Sequence, residues 1–451
     1  MAERKYFGTD GIRGVANTHP LTPDFAVGLG RAAASVLAKA GSSGQRTRAV
    51  IGRDTRLSGP MLESALAAGI NSAGGDVDLI GVIPTPGVAL NCRRVGADFG
   101  VVISASHNPA ADNGIKFFAG DGYKLPDATE LEIERAVDDG GPRVGGTEVG
   151  TTRTSTEDAR SAYLRSVLDS VQGLDLSGMK IVVDAAHGAA TGLTSHAIRT
   201  LGGECHEIGS APDGININEA CGCTHPKAIE EAVKATGSHV GVAHDGDADR
   251  ILLVDETGSA LDGDELLAIT ARHHLSKGTL ANKTLVATVM SNFGLEACLK
   301  ELGGSVQRTG VGDRYVIEAM RSGGFNLGGE QSGHVIFHDH TTTGDGVISA
   351  LQLLAIVRET GQPLSQLRKC LRKFPQVQRA LSVTSKPDFA SVPAIAEAQA
   401  KADAALAGAG RLLLRYSGTE PKLRILLEGQ DPAQLEALCI DLESAIKSTI
   451  G

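Results

Sequence analysis

The chain has no tryptophan, and aromatic residues make up only 3% of its 451 positions. Its cores must therefore be built mainly from Ala, Val, Leu and Ile, within a hydrophobic share of 41%. No apolar run approaches the roughly 18 residues of a membrane-spanning helix, so no membrane partner is expected. The start, Met1-Ala-Glu-Arg-Lys-Tyr-Phe-Gly8, lacks the apolar stretch of about 7–15 residues found in secretory leaders, and a cytoplasmic location is expected. Cysteines are few: seven, odd in number and scattered, as in proteins with reduced thiols. Cys221-Gly-Cys223-Thr-His225 alone hints at metal ligation, and no second cluster supplies the remaining ligands of a closed zinc site. Positive charge is also scarce, with 43 Lys and Arg against 53 Asp and Glu, a formal charge of −10. An acidic chain repels nucleic acid, which excludes it as an expected partner. If the ligand is anionic, its cations must be gathered locally.

Length alone suggests about three domains at roughly 150 residues each. Short β-branched or apolar runs repeatedly end in a polar loop and lead into a helix-like stretch. Ala49–Ile51 precedes Gly52-Arg-Asp-Thr-Arg56, with Pro60 suited to the first turn of a helix over 60–73. Phe99–Ile103 precedes Ser104-Ala-Ser-His-Asn-Pro109. Lys180–Val183 precedes Asp184-Ala-Ala-His-Gly188, and Thr284–Val289 precedes Met290-Ser-Asn292. Strand, loop, helix, repeated, predicts an α/β chain with polar residues at the carboxyl ends of strands. The tail differs. It reads as a strand over 376–384, a helix over 388–406, strands over 411–416 and 423–428, and a helix over 432–447. Asp431 is the expected N-cap of that last helix and Gln434 the partner in a capping box. Cuts near 155, 258 and 372 give four units: 1–155, 156–258, 259–372 and 373–451.

Asp245-Gly-Asp-Ala-Asp-Arg250 lies between two strand-like runs. Three carboxylates at alternate positions repel unless a hard cation sits between them, bound through oxygen. A calcium-binding EF-hand is excluded because its sixth position, here Arg250, should be Gly and its flanks should be helices. Ser106 stands in a small-residue loop after a strand, where a serine can be an exposed nucleophile or simply a turn former. The Gly-x-Ser-x-Gly elbow of a serine hydrolase is absent. Gly328-Gly-Glu-Gln-Ser-Gly-His334 offers Glu330 and Ser332 to sugar hydroxyls. Arg415-Tyr-Ser-Gly-Thr-Glu-Pro-Lys-Leu-Arg424 surrounds a Ser-Gly-Thr turn with cations, supplying the local positive cluster that an anionic ligand needs. Phe7-Gly-Thr-Asp-Gly-Ile-Arg-Gly14 lacks dinucleotide-loop spacing, and its Arg13 can face a phosphate.

Taken in order, these loops resemble those of the α-D-phosphohexomutase superfamily, over residues 6 to 425. The resemblance implies three related α/β domains with mixed sheets and a smaller C-terminal α+β domain around a central cleft. It implies a phosphoserine at Ser106 and one Mg²⁺ per chain on Asp245, Asp247, Asp249 and the Ser106 phosphate. Lys116 and His334 are implied as the groups managing the hydroxyl proton. A phosphosugar would be bound by Arg13, Arg250, Arg314, Glu330 and Ser332, with Arg415, Ser417, Gly418, Thr419 and Arg424 on its phosphate. Tyr6–Gly14, Asn113–Phe118 with Gly122–Pro126, Val311–Val316 and Thr341–Gly346 are similar to the glucosamine-phosphate branch. That branch moves phosphate between O6 and O1 through a 1,6-bisphosphate, for amino-sugar nucleotide and cell-wall precursor synthesis. A homodimer is the assembly expected. A phosphatase using the same serine, or a non-catalytic cation binder, are the competing functions. The first has no need of a phosphate-gripping loop in a separate unit, and the second leaves Ser106 unexplained.

Overall fold

The computed structural model describes residues 4–8, 10–38, 46–417 and 421–451. Four sheets follow one another along the chain. The first runs, edge to edge, Ile12–Val15, Asp112–Ala119, Phe99–Ile103, Arg48–Arg53, Asp76–Val82 and Thr152–Thr154. Its central strands are parallel, and Asp112–Ala119 turns back antiparallel to Phe99–Ile103. The loop carrying Ser106 therefore joins two adjacent strands, and Lys116 returns opposite Val102, beneath that loop. All five residues of Phe99–Ile103 are buried, as a strand covered on both faces requires.

The second sheet runs Ala260–Leu261, Ile251–Asp255, Val240–His244, Lys180–Asp184, Glu204–Ile208. Val240–His244 and Ile251–Asp255 form an antiparallel hairpin whose connection is the aspartate loop. The third sheet runs Ser305–Thr309, Thr284–Thr288, Leu327–Gly329, Val335–Phe337, and Glu330 follows directly on the third of these strands. In each unit the polar loops extend from strand ends toward one side, which is how α/β sheets build sites.

The last unit is a three-stranded antiparallel sheet, Gln376–Ser382, Lys422–Gly429 and Gly410–Tyr416, packed against the helices Pro393–Leu406 and Pro432–Thr449. It buries its own apolar cluster around Ile395, Leu427, Leu435 and Leu442, while one continuous cluster links the first three units. Its attachment includes polar contacts. Asn292 exchanges hydrogen bonds with the Phe374 backbone at 2.9 and 3.0 Å, and Arg411 donates to the Ser291 carbonyl at 2.6 Å.

The helix expected from 388 begins instead at Pro393, preceded by a single 3-10 turn over Phe389–Ser391. Val392 is extended because a residue before proline is barred from the helical region. Asp431 caps the last helix by accepting from the Ala433 N–H, but the reciprocal bond from Gln434 is absent among the described residues. No disulfide links the seven cysteines, and no described helix is long and apolar enough to cross a membrane.

Candidate active site

Ser106 is almost fully buried and sits at φ +53°, a left-handed conformation unusual for serine. Its N–H donates to Ser104 Oγ at 2.9 Å, and Ser104 Oγ donates to Asp54 Oδ2 at 2.6 Å. The Ser106 hydroxyl donates to Asp245 Oδ2 at 2.5 Å, across the boundary between the first and second sheets. Close approach demands glycine at 246, where a Cβ would stand 2.6 Å from the Ser106 carbonyl oxygen.

The hairpin turn that carries Asp245 places Asp247 and Asp249 beside it, with one oxygen of each within 4.8 Å of the others. Burial, with Asp249 and Asp247 alongside, pushes the Asp245 carboxyl up to about 8. Asp247 goes the other way. Burial pushes it up too, but the Lys116 ammonium and the Thr85 hydroxyl, at 2.9 and 2.6 Å, hold it far below the ordinary carboxylate range. Burial opposes the Lys116 charge, yet Asp10, Asp247 and Asp249 outweigh it and raise its pKa. Asp247 Oδ1 and Asp249 Oδ1 are buried with no hydrogen-bond partner. Two orphaned carboxylate oxygens beside a third carboxylate that resists ionisation fit a hard divalent cation bound through oxygen. Among the described residues this is the three-ligand group; Cys221, Cys223 and His225 do not form one.

Above this floor opens a cleft of about 500 Å³ lined from the first three units. Arg13, His107, Asp249, Arg250, Glu330, Ser332 and His334 all face it. Arg13 pairs with Asp10 at 2.5 Å and reaches the Ala105 carbonyl at 3.5 Å. Burial, then Arg250 and Arg13, lower the pKa of His107, whose Nδ1 lies 3.4 Å from Ser106 Oγ. A chain of charges crosses the cleft wall: Lys116 to Asp10 at 3.0 Å, Asp10 to Lys124 and Lys124 to Asp313 both at 2.5 Å, and Asp313 to His334 at 3.4 Å. Burial pushes Glu330 up, and its Oε1 accepts from the Gly312 N–H at 3.2 Å. The aspartate and Glu330 loops are joined through backbone: the Ile251 N–H donates to the Gly333 carbonyl at 3.0 Å. Gly333 sits at φ +91°, and a Cβ there would lie 2.1 Å from the Ile251 oxygen.

Not every anticipated residue reaches the cleft. Arg314 does not line it; its guanidinium pairs with Asp127 and with Glu130, at 2.8 Å for the latter, on a helix of the first unit. Two acidic partners take both terminal nitrogens of that guanidinium at the seam and leave its buried Nε unpaired, a pairing that sequence spacing cannot reveal. Arg415 and Arg424 face each other across adjacent strands and line a separate pocket of about 220 Å³ with Met290 and Arg379. Ser417 is buried beside them, and Gly418 and Thr419 lie outside the described residues. Asp10, Thr85, Lys124 and Asp313 were not anticipated. Each matters through a partner more than a hundred residues away; Asp10, Lys124 and Asp313 lie in the stretches 6–14, 122–126 and 311–316 noted from the sequence, whereas Thr85 has no local signature.

Family comparisons agree with this architecture. Phosphoglucomutase/phosphomannomutase alpha/beta/alpha domains I, II and III match residues 4–143, 161–258 and 262–374, and the C-terminal domain of that family matches 379–444. The chain is 51% identical to a phosphoglucosamine mutase of Syntrophotalea carbinolica over 459 residues, covering 100% of this chain and 98% of the relative. It is 52% identical to one of Symbiobacterium thermophilum over 449 residues, covering 99% of each. A phosphoglucomutase/phosphomannomutase family protein of Burkholderia thailandensis superposes with a TM-score of 0.82 at 28% identity, over 99% of this chain and 98% of that one. The Aspergillus fumigatus N-acetylphosphoglucosamine mutase shares the fold, with a TM-score of 0.63 at 18% identity over 99% and 96% of the two chains. With the four domain models matched in order and relatives at half identity over the whole length, this enzyme belongs to the phosphoglucosamine mutase family of the phosphohexomutases and is an isomerase.

Proposed function

We propose that this enzyme interconverts glucosamine 6-phosphate and glucosamine 1-phosphate, with Ser106 carrying the phosphoryl group between the two ends of the sugar. The observation behind this reading is the Ser106 hydroxyl set 2.5 Å from Asp245, in a buried aspartate group, beneath a cleft that brings Arg13, Lys124 and Arg250 together with Asp10, Asp249, Asp313 and Glu330. Asp245, Asp247 and Asp249, with the Ser106 phosphate, would hold one Mg²⁺ per chain, which supplies positive charge to the phosphoryl oxygens. Phosphoryl transfer passes through a loose transition state, so positioning and charge neutralisation do most of the work.

Phosphorylated Ser106 donates to O1 or O6 of the bound monophosphate. The resulting 1,6-bisphosphate turns over in the cleft and returns its other phosphate to Ser106. Lys116, 2.9 Å from Asp247, is assigned the proton that Ser106 Oγ takes up as the phosphoryl leaves, and it gives that proton up against the hold of Asp10, Asp247 and Asp249, which raise its pKa. His334, with Asp313 at 3.4 Å, is assigned the proton of the attacking sugar hydroxyl. Arg13 and Arg250 meet phosphoryl charge, and Glu330 and Ser332 meet sugar hydroxyls. Arg415, Ser417, Gly418, Thr419 and Arg424 grip the phosphate that is not reacting. Arg314 belongs to the seam between units in this reading. The working division of the chain is 1–155 with the phosphoserine loop, 156–258 with the metal loop, 259–372 with the sugar loop and 373–451 with the phosphate grip.

The test is direct. Purified enzyme with Mg²⁺ and a trace of sugar 1,6-bisphosphate should convert glucosamine 6-phosphate to the 1-phosphate, followed by phosphorus NMR. Its kcat/KM should exceed that for glucose and mannose phosphates, and intact mass should map one phosphate to Ser106. Preference for mannose phosphates, or release of inorganic phosphate without isomer, overturns the reading.

A further inference from the structure

A serine keeps a left-handed backbone only when its surroundings over-determine it, and at Ser106 two side chains from different units do so. Arg56 is fully buried, and its Nε donates to Asp54 Oδ2 at 2.9 Å. The fork of its guanidinium then reaches four carbonyls of the loop: Ser106 at 3.0 Å, Asn108 at 2.8 Å, Asp112 at 2.9 Å, and Pro109. Asn218, from the second unit, donates through Nδ2 to two of the same carbonyls, Ser106 at 2.9 Å and Asn108 at 3.0 Å. Its Nδ2 also lies 3.0 Å from where a Cβ on Gly246 would stand, so Asn218 is wedged between the serine loop and the aspartate loop. Neither Arg56 nor Asn218 lines the cleft.

We infer that Arg56 and Asn218 are positioning residues: by holding the Ser106 and Asn108 carbonyls down from both units, they turn Ser106 Oγ onto the aspartates. The inference rests on the reading that Ser106 carries the phosphoryl group. Since neither side chain faces the cleft, losing one displaces the reacting oxygen without touching the bound sugar. The effect falls on kcat and spares KM.

The test uses the full-length enzyme with Asn218→Ala, Asn218→Asp and Arg56→Lys. Asn218→Asp keeps the shape but replaces both N–H donors with an oxygen. Arg56→Lys keeps the charge opposite Asp54 but cannot span four carbonyls. Each variant should fold, by circular dichroism, and show KM within about twofold of the wild type. Each should lose about 100-fold in kcat, as small misplacements of a reacting group do. The rate at which Ser106 gains phosphate from a sugar 1,6-bisphosphate, read by intact mass, should fall by the same factor. A folded Asn218→Ala with wild-type kcat overturns the inference, as does recovery of kcat in Asn218→Asp. So does a drop in activity that merely tracks the folded fraction. If Arg56→Lys fails to fold, the two Asn218 variants still decide the matter. Wild-type enzyme that turns over without phosphate on Ser106 refutes the parent reading instead.

Discussion

The Ser106 floor and the Arg415–Arg424 hairpin are built in opposite ways. Ser106, Asp245 and Asp247 are almost fully buried and are bonded from two units at once. Arg424 is exposed, on a sheet with its own apolar cluster that meets the third unit through polar contacts at Ser291 and Asn292. In the proposed chemistry the first end stabilises a developing charge, which rewards donors fixed in advance. The second must grip, release and grip again while the bisphosphate turns over, which rewards a separately mounted part. Burial and bonding from two units are concentrated where the bond would change, and the grip stands on a unit with its own core.

Substitutions at the two ends should therefore differ in kind. Ser106→Ala should abolish turnover and leave the fold intact, while Ser104→Ala should leave turnover measurable. Near-normal mutase activity in Ser106→Ala would erase the distinction. Asp247→Asn should weaken Mg²⁺ binding by more than the roughly 10–100-fold that outer partners of a metal site cost. Its activity should partly recover at high Mg²⁺, and a wild type indifferent to chelation would contradict this. At the Arg415–Arg424 end Arg424→Ala, in a Ser106→Ala background that cannot react, should weaken glucosamine 1-phosphate and glucosamine 6-phosphate by similar factors. Roughly 30-fold is expected for loss of one charged partner. Calorimetry showing only one isomer affected would mean two phosphate sites. A further effect is on stability. Asp345 caps the helix Gly346–Thr360, whose first N–H donates to Ala248 of the aspartate loop at 2.9 Å. Burial pushes Asp345 up to about 6, so the folded chain holds that proton more tightly than the unfolded chain. Its contribution is full below about 4 and is lost as pH rises through about 6, by up to about 3 kcal/mol. Asp345→Asn should flatten that fall, measured as urea midpoints across the window.

Much of this was legible from the sequence because the signals were local. The alternate aspartates of 245–249 stand out as a candidate cation group by charge repulsion alone, and the strand-like runs that flank them pair as a hairpin. Asp431 and Pro432 mark the start of the last helix. Where a proline competes with a periodic pattern, the proline wins: Ala-rich spacing favoured a helix from 388, and Pro393 set its start. The unread parts are partnerships between distant positions. Nothing near Lys124 says that Asp10 and Asp313 will close on it, and nothing near Arg314 says that Glu130 will claim it. The same holds for Thr85 on Asp247. Lys124 meets Asp10 only when the first unit folds, and the other pairs exist only once the units are docked.

The joint between Ile251 and Gly333 carries a further consequence. A side-chain contact can swing on its rotamers, but two backbones fastened at 3.0 Å, with no room for a Cβ between them, cannot slide past each other. The aspartate loop and the Glu330 loop thus share one backbone joint, and whatever ligands each holds in the proposed chemistry are set at a fixed spacing by it.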